Sequence, residues 1–345
     1  MKKKPIFYHE GYGNYSFGSF HPFDPERFPK FVEMVRNSEE LSSAIEIKEA
    51  DWAKDKELQL VHSKKYIEKI SELEETGGRV SPDTPVKPGT PAACRRIVGG
   101  SLGAAKDLKN NDLTLNMGGL HHAGRDYGEG FCLFNDVAIA AEYLRRKGKK
   151  VCILDTDAHQ GNGTMDIFYT SPDVLFISLH QDPRTLYPGR GYVHEIGDGD
   201  GEGYSVNIPL PRDSNIAEYR YAFDEVVSPV VEQFEPDVLI RNGGSDPHHQ
   251  DSLTDLALDM NGFVYLGAVT SEICKNVGAK HIDLFLSGYG LMVLNGWLAM
   301  LKGTMDLDIP TPDDQRIGSL KNEPRKSMVE TLDDLKNILE DHWDL

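Results

Sequence analysis

Short runs of apolar, largely β-branched residues recur along the chain, and each ends in a cluster of glycine, aspartate, histidine or asparagine. Apolar runs of this length are typical of strands buried on both faces, as in a parallel sheet. We predict five such strands. They cover residues 113–115, 151–154, 174–177, 238–240 and 282–286.

Helical patterns lie between these runs. Residues 135–146 look helical, and residues 216–230 carry apolar positions at helical spacing after a cap signal at Asp213 and Ser214. Strands that alternate with helices form an open parallel sheet, whose ligands bind at the carboxyl ends of the strands. We therefore predict that all five polar clusters share one sheet edge, which would bring residues 121 to 289 into one site.

The two ends of the chain have plainer patterns. Ser327 and Glu330 form a capping-box signal before a C-terminal helix, and we predict a connecting loop over residues 304–324. An early helix is marked by Phe28, Phe31, Val32 and Val35. No boundary divides the chain, so we predict one domain over 1–345. Its motif-bearing core covers about 21–300, with a C-terminal loop and helix over 304–345.

The charge balance excludes one class of function. The 345 residues include 37 Lys and Arg against 55 Asp and Glu, which gives a net charge of −18. Proteins that bind nucleic-acid phosphates need a basic surface, so we expect no direct nucleic-acid binding. No stretch reaches the length of an apolar membrane span, and we expect no membrane partner.

The cysteines and the N-terminus bear on the compartment. Cys94, Cys132, Cys152 and Cys274 are far apart, as expected of reduced core thiols rather than a disulfide or zinc framework. The basic N-terminus lacks a signal-peptide core. We therefore expect a cytoplasmic protein, while its oligomeric state stays open.

The strongest chemical signal is Asp155-Thr156-Asp157-Ala158-His159. Its three polar side chains alternate where a strand ends, so they can share one side of the backbone. A carboxylate and an imidazole two residues apart can reach one metal ion, and Asp251 can supply a third ligand. Three protein ligands leave a position open for water, which is typical of a catalytic site.

The metal and the motif both leave alternatives. Zinc suits the mixed nitrogen and oxygen donors best, but iron(II), cobalt and manganese stay open. The Asp-x-Asp-x-His string alone is also compatible with simple loop capping. The second acid-rich strand end and a nearby histidine pair favour the metal site.

That histidine pair, His121 and His122, follows small residues at another strand end. Two adjacent histidines opposite a metal suggest acid–base chemistry, and each needs a partner that fixes its tautomer. Asp155 and Asn162 are the candidates. A carboxylate behind one histidine and an amide behind the other would separate an electrostatic role from proton transfer.

Aromatic residues complete the candidate site. Tyr289, between two glycines, can donate a hydrogen bond to a developing oxyanion, although a tyrosine in such a loop is, on its own, more typical of a packed loop residue. Phe131 and the 186–189 loop, which contains Tyr187, suggest a narrow channel for an aliphatic chain. Such residues also serve as plain loop anchors.

Taken together, these motifs closely resemble the histone deacetylase superfamily, which includes acetoin-utilization proteins and acetylpolyamine amidohydrolases. The resemblance extends from about His21 to about Trp297. The GGLHHA form and Asp83-Thr84-Pro85-Val86 look most like the prokaryotic acetoin-utilization branch. The motifs in order are GGLHHAGRDYGEGFCLFNDVA, LDTDAHQGNGT, SLHQD with YPG, GGSDPHHQD and SGYG.

The resemblance implies an α/β arginase/deacetylase fold with a mainly parallel eight-stranded sheet flanked by helices. It implies zinc on Asp157, His159 and Asp251. His122 would be the general base and then the acid, and His121 a supporting electrostatic group. The other implied roles are Asp155 and Asn162 as histidine partners, Tyr289 as oxyanion donor, Phe131, Tyr187 and Gly130 as tunnel lining, and Asp83 as a rim residue.

The resemblance also implies monovalent cations, probably potassium. One position matches Asp155, Asp157, His159, Ser178 and Leu179. A second position could involve Phe168, Ser171 and Val174. Several residues depart from commoner forms of the family without removing a ligand or a catalytic group. They are Asn162 in place of Asp, Arg241-Asn242, the paired His248-His249, and Ser287 in place of Gly.

The expected activity is zinc-dependent hydrolysis of N-acetyl amides of lysine or polyamines. A dinuclear arginase-type ureohydrolase is the alternative enzyme, but it needs more bridging carboxylates than the sequence makes evident. A catalytically inactive acyl-lysine binding module is the alternative from another class. An acidic surface would attract the free cationic groups that such substrates usually carry.

Overall fold

A computed structural model describes residues 2–314 and 323–345. Eight of the strands belong to one sheet flanked by helices, and two short ones form a separate antiparallel pair. The strands are β1 (Lys4–Tyr8), β2 (Ile45–Glu49), β3 (Arg79–Ser81), β4 (Thr84–Pro85), β5 (Leu113–Asn116), β6 (Val151–Asp155), β7 (Val174–Gln181), β8 (Ser205–Leu210), β9 (Val238–Gly243) and β10 (Lys280–Phe285).

Helices connect most of these strands. They are α1 (Arg27–Asn37), α2 (Glu39–Ala44), α3 (Asp55–Leu58), α4 (Lys64–Thr76), α5 (Thr90–Asp107), α6 (Asp136–Arg145), α7 (Asn162–Phe168), α8 (Ile216–Ala222), α9 (Ser228–Phe234), α10 (Met260–Val277), α11 (Val293–Met305) and α12 (Lys326–Leu339). A π-helical turn, Phe223–Val227, joins α8 to α9. In the residues described, no helix is both long and apolar enough to cross a membrane.

The chain forms two compact units. The first unit contains Met1–Gly148, Asn162–Ile167 and Lys280–Leu286. Its strands lie in the order β2-β1-β5-β10, all parallel. Helix α5 packs on β1, β5 and α6. The four apolar positions that predicted the early helix are buried in α1, so that helix is confirmed.

The second unit contains Lys149–Gly161, Phe168–Ala279 and Ser287–Leu345. Its strands lie in the order β9-β6-β7-β8, again all parallel. Asp155, the last residue of β6, is in register with Ser178 on one side and Asn242 on the other. The polar residues that follow β6 and β9 therefore lie at the same edge of this unit's strands.

The predicted strands and helices are present, with corrections at their ends. The α8 cap is Asn215, not Asp213 or Ser214. The predicted loop over 304–324 is wrong at its start because α11 continues to Met305, and residues 315–322 lie outside the described residues. Ser327 is not a cap either, since α12 already begins at Lys326 after Arg325. All four cysteines are buried and none is disulfide-bonded.

Candidate active site

The end of β6 and the loop after β9 bring three ionisable side chains together in the second unit. The ligand atoms of Asp157, His159 and Asp246 all lie within 4.8 Å of one another, and all three residues are buried. His159 Nδ1 is 3.2 Å from Asp157 Oδ1 and 3.0 Å from Asp246 Oδ2. This cluster contains two of the three predicted zinc ligands.

Hydrogen bonds fix the carboxylates of this cluster. Asp155 Oδ1 accepts from the backbone N–H of Asp157 at 3.1 Å and from Asn242 Nδ2 at 3.1 Å. The Ser287 hydroxyl donates to Asp157 Oδ2 at 2.5 Å and lies 3.1 Å from Asp246 Oδ1. The serine that departs from the commoner glycine therefore bridges two acids of the cluster.

The electrostatics of this cluster favour bound positive charge. Burial lowers the pKa of His159, but the hydrogen bonds and charges of Asp157 and Asp246 raise it to about 10. Burial, followed by the charge of Asp157, raises the pKa of Asp246 well above its usual range. Buried carboxylates are stable only when they are paired, protonated or bound to a metal.

The donor set therefore fits a divalent cation. It offers one imidazole nitrogen and two carboxylates at a single buried point. Mixed nitrogen and oxygen ligands are those that zinc accepts in proteins. Asp246 was not among the predicted ligands, although it lies in the same loop as Asp251.

The predicted third ligand, Asp251, stands slightly apart from this group. Its Oδ1 accepts from Leu253 N at 2.9 Å and its Oδ2 from Tyr289 N at 2.6 Å. Burial raises its pKa to about 6, while these two hydrogen bonds and the charge of His159 lower it. The charge of His159 thus affects the pKa of Asp251, and the Asp251 carboxylate also holds the backbone of Tyr289.

Two aromatic rings border the imidazole of His159. The ring centroids of Tyr289 and Tyr187 lie 6.3 Å and 6.5 Å from it. Tyr289 is buried, and its carbonyl accepts hydrogen bonds from the backbone and the hydroxyl of Ser252, each at 3.0 Å. Tyr187 is 39% exposed, and its role as a channel residue stays a prediction.

The histidine pair lies in the first unit, after β5. His121 and His122 are buried, with ring centroids 4.1 Å apart. His122 Nδ1 is 2.7 Å from Asn162 Oδ1, and Asn162 Nδ2 donates to Glu129 Oε1 at 2.5 Å. Because a carboxylate only accepts, the amide nitrogen faces Glu129 and the amide oxygen faces His122.

This arrangement settles the tautomer of His122. Its Nδ1 must carry the proton, since the Asn162 oxygen can only accept, and its Nε2 keeps a lone pair. The sequence named Asn162 and Asp155 as histidine partners without assigning either to one histidine, and Asn162 is the one that contacts His122. The role of Asp155 as a histidine partner stays a prediction. Glu129 was missed, although it belongs to the GEGF segment that also contains Gly130.

The predicted channel residues of the first unit pack beside His122. A Cβ on Gly130 would lie 2.3 Å from His122 Cδ2, so only glycine fits there. Phe131 has a left-handed backbone, with φ of 64°, and its ring centroid is 4.3 Å from that of His21. Thr84 Oγ1 accepts from Phe131 N at 3.0 Å and donates to Asp83 Oδ1 at 3.0 Å.

Asp83 is therefore linked to Phe131 through one hydroxyl group, which places the predicted rim residue beside a residue predicted to line the channel.

The predicted potassium residues lie on or near two neighbouring strands. Ser178 and Leu179 are in β7, which Val174 begins, while Phe168 and Ser171 precede it. Potassium at either position stays a prediction.

The paired histidines after Asp246 form a second polar group. Ligand atoms of His248, His249 and Asp314 lie within 4.8 Å of one another. His248 Nδ1 accepts from Gln250 N at 3.1 Å, which places the proton on Nε2. In this tautomer His248 has no lone pair left for a metal.

Known proteins resemble the chain over most of its length. A family model described as "Histone deacetylase domain" matches residues 21–303. The acetoin utilization protein AcuC of Bacillus subtilis (strain 168) is 35% identical over 305 residues, covering 84% of this chain and 79% of that protein. A probable deacetylase of Archaeoglobus fulgidus is 36% identical over 264 residues, 75% of this chain and 73% of that protein.

A solved structure has the same fold. The crystal structure of the HDA15 HD domain matches with a TM-score of 0.87 and 25% identity, covering 99% of this chain and 95% of that chain. The α/β arginase/deacetylase fold with a mainly parallel eight-stranded sheet, expected from the sequence, is thus confirmed.

Proposed function

Since the chain belongs to the histone deacetylase family, we propose that it is a zinc-dependent deacetylase. It hydrolyses the N-acetyl amide of an acetylated lysine or polyamine to acetate and a free amine. The observation that carries the proposal is the fixed tautomer of His122, whose Nδ1–H donates to Asn162 and leaves Nε2 ready to accept a proton.

We assign the metal to Asp157 and His159, with Asp251 as the third ligand. Asp251 lies at the backbone of Tyr289, whereas Asp246 is fully buried, lies 3.1 Å from the Ser287 hydroxyl and accepts from the Ala158 backbone. A zinc ion held there would polarise the acetyl carbonyl and lower the pKa of its water.

The proton steps belong to the chain's own residues. His122 Nε2 takes a proton from the attacking water as the new C–O bond forms, and Tyr289 donates a hydrogen bond to the oxyanion. His122 then gives that proton to the departing nitrogen as the C–N bond breaks. His121 supports the charge that develops on His122, with Asp155 as its partner.

The remaining assignments concern substrate, cations and compartment. Phe131, Gly130 and Tyr187 would line the channel for the acyl-amine chain, with Asp83 at the rim holding the substrate backbone. Potassium is proposed beside Asp155, Ser178 and Leu179, supported by the register that pairs Asp155 with Ser178. Four buried cysteines without a disulfide fit a reducing, cytoplasmic setting.

Acetate release from an acetyl-lysine peptide and from an acetylated polyamine tests the proposal. We expect release on at least one substrate, its loss with a chelator, and its return with zinc. Tyr289→Phe should lower kcat by about 10²–10³-fold while the metal content stays unchanged. Wild-type turnover by that variant would contradict the role of Tyr289, and no release on either substrate would favour an acyl-lysine binding module.

One observation keeps the dinuclear ureohydrolase as second candidate. Asp246 adds a buried carboxylate to the cluster, and two metal ions about 3.5–4 Å apart need such bridging groups. Metal analysis separates the two enzymes, because the deacetylase requires one ion in this cluster and the ureohydrolase two.

A further inference from the structure

The backbone segment that presents the histidine pair is held by a buried carboxylate. Asp136, the first residue of α6, accepts from Leu120 N through Oδ1 at 2.6 Å. The backbone N–H of Gly119 lies 3.2 Å from each of its oxygens. Asp136 therefore fixes the two residues that directly precede His121.

This carboxylate belongs to a chain of polar groups in the core of the first unit. Ser101 donates to Asp136 Oδ2, Asn116 Nδ2 donates to Ser101 Oγ at 2.8 Å, and Tyr12 donates to Asn116 Oδ1 at 2.9 Å. Asp136 is fully buried. Burial raises its pKa to about 6, although its hydrogen bonds lower it.

The packing leaves no space for a side chain at position 118, just before the held residues. A Cβ on Gly118 would lie 2.2 Å from Asp136 Oδ2 and 2.7 Å from Ser101 Oγ. Because Gly118 has no side chain, the backbone can approach the Asp136 carboxylate closely, and this glycine is part of the same buried arrangement.

Other side chains hold the residues that follow. Asn135 Nδ2 donates to the carbonyls of His121 at 3.1 Å and Ala123 at 2.9 Å. His62 Nδ1 donates to the Gly124 carbonyl at 2.9 Å, and its Nε2 accepts from Asn135 N at 2.9 Å. The histidine pair is thus held on both sides of the backbone by the start of α6.

We propose that Asp136 is a positioning residue for the proposed hydrolysis: its carboxylate fixes the Gly119–Leu120 backbone and so aligns His122 Nδ1 with the oxygen of Asn162. This inference rests on the proposed function, because alignment matters only if His122 transfers protons. Asp136 itself contacts neither substrate nor metal.

The carboxylate is required because three donors converge on it. A carboxylate has two acceptor oxygens, whereas an amide has one oxygen and one NH₂ group. In Asp136→Asn, an oxygen at the Oδ1 position can keep Leu120 N, but the NH₂ group at the Oδ2 position then faces the Ser101 hydroxyl and the N–H of Gly119, which both donate to Oδ2 in the wild type. Two hydrogen-bond donors that face each other in a buried site repel, and we expect the backbone to move so that they separate.

Asp136→Asn, compared with Glu142→Gln, tests the proposal in the metal-loaded protein. Glu142 is the matched control because it is a buried acid on the same helix whose carboxylate pairs with Arg145 and Arg146. Displacement by about 1 Å can cost 10²-fold in rate, so we expect Asp136→Asn to lower kcat at least about tenfold with KM within about twofold. Glu142→Gln should keep wild-type kcat and KM.

A second readout does not depend on turnover. Nitrogen-15 NMR of the histidine rings distinguishes the Nδ1–H tautomer from the Nε2–H tautomer. We expect the wild type and Glu142→Gln to show His122 as Nδ1–H, and Asp136→Asn to show a mixture. The His122 resonance is assigned by its loss in His122→Ala.

The outcomes are separable. Unchanged kcat and an unchanged His122 tautomer in a folded Asp136→Asn protein would overturn the proposal. If Asp136→Asn fails to fold, Ser101→Ala gives the milder test, since it removes one donor from the carboxylate and should lower kcat by about threefold. A wild type that releases no acetate contradicts the proposed function, whereas the NMR result still decides whether Asp136 positions His122.

Discussion

The two compact units hold buried polar groups in opposite ways. In the first unit, His122 contacts the amide of Asn162, the ring of His121 and the backbone of Gly130. In the second unit, two carboxylates and an imidazole are packed within 4.8 Å of one another. The first arrangement rests on a neutral amide, whereas the second concentrates carboxylates.

The difference separates two tasks. A residue that must take up and release a proton needs a fixed tautomer and a neutral neighbour, so that neither protonation state is locked. A cation site needs concentrated negative charge, which is stable only when the cation is present. We therefore expect the largest effect from substitutions in the acidic cluster, an intermediate effect at Asn162, the partner of His122, and the smallest effect at His62.

The largest effect is expected from the acidic cluster. Asp157→Ala should lose the metal and at least about 10³-fold in kcat, because a bound ion supplies several kcal/mol of transition-state stabilisation. Metal content per chain, measured by mass spectrometry after gel filtration, checks this. An Asp157→Ala protein that keeps one ion per chain would contradict the assignment.

The two neighbouring acids provide the matched pair for that measurement. We expect Asp251→Asn to lose the ion, and Asp246→Asn to keep it with an affinity about 10–100-fold weaker, as for residues behind a ligand. The reverse pattern would move the third ligand to Asp246. Two ions per wild-type chain would favour the ureohydrolase.

An intermediate effect is expected at the neutral partner of His122. Asn162→Ala removes the acceptor of the Nδ1–H, which frees the other tautomer, and a wrong tautomer costs on the order of 10²-fold or more in kcat. Asn162→Asp keeps an acceptor but adds charge, which raises the pKa of the histidine. The acid limb of the kcat/KM profile should then move to higher pH, and an unmoved limb would contradict the pairing.

The smallest effect concerns stability. Burial lowers the pKa of His62 to about 4, even though its hydrogen bond to the Gly124 carbonyl opposes the shift. Between the ordinary pKa of 6.5 and about 4, the unfolded chain binds more protons at this residue, so the free energy of unfolding falls as the pH falls. From pH 7 to pH 5 the loss amounts to about 2 kcal/mol.

His62→Gln should remove that contribution. The glutamine amide can also donate to the Gly124 carbonyl and accept from Asn135 N, and it does not titrate. Urea unfolding at pH 7 and pH 5 measures the difference. An equal pH dependence in the variant and the wild type would show that His62 does not carry it, while buried His180 contributes equally to both proteins and cancels.

The sequence predicted five of the eight strands of the main sheet and missed β1, β2 and β8. The five predicted strands are β5, β6, β7, β9 and β10, which are mainly apolar. β2 alternates apolar and charged residues because it lies at the end of the strand order. β8, at the opposite end, contains Pro209, which an outer strand tolerates because it needs hydrogen bonds on one side only.

The start of the C-terminal helix depends on contacts with residues distant in sequence, which a local sequence pattern does not reveal. Ser327 and Glu330 formed a good local signal, yet α12 starts at Lys326 after Arg325. The backbone N–H of Arg325 instead bonds Glu218 of α8, and its guanidinium reaches the carbonyls of Arg212 and Asp213. Tertiary contacts to another helix therefore set the start.

The residues missed in the site share one property. Asp246, Glu129 and Asp136 each hydrogen-bond to other residues of the candidate site. No sequence motif around them indicates this role. Asp246 is five positions before Asp251, and Asp136 follows the helix cap Asn135. Only the folded backbone shows that these acids point at His159, Asn162 and the backbone before His121.

Phe131 shows where folding and the proposed activity make different demands on one position. Its left-handed φ of 64° costs a non-glycine residue roughly 1–2 kcal/mol. The Tyr15 hydroxyl, which donates to the Phe131 carbonyl at 2.5 Å, and Thr84 hold it there. Glycine at this position would relieve the backbone strain but would also remove the ring that packs against His21, so the chain accepts strained backbone here in exchange for an aromatic contact.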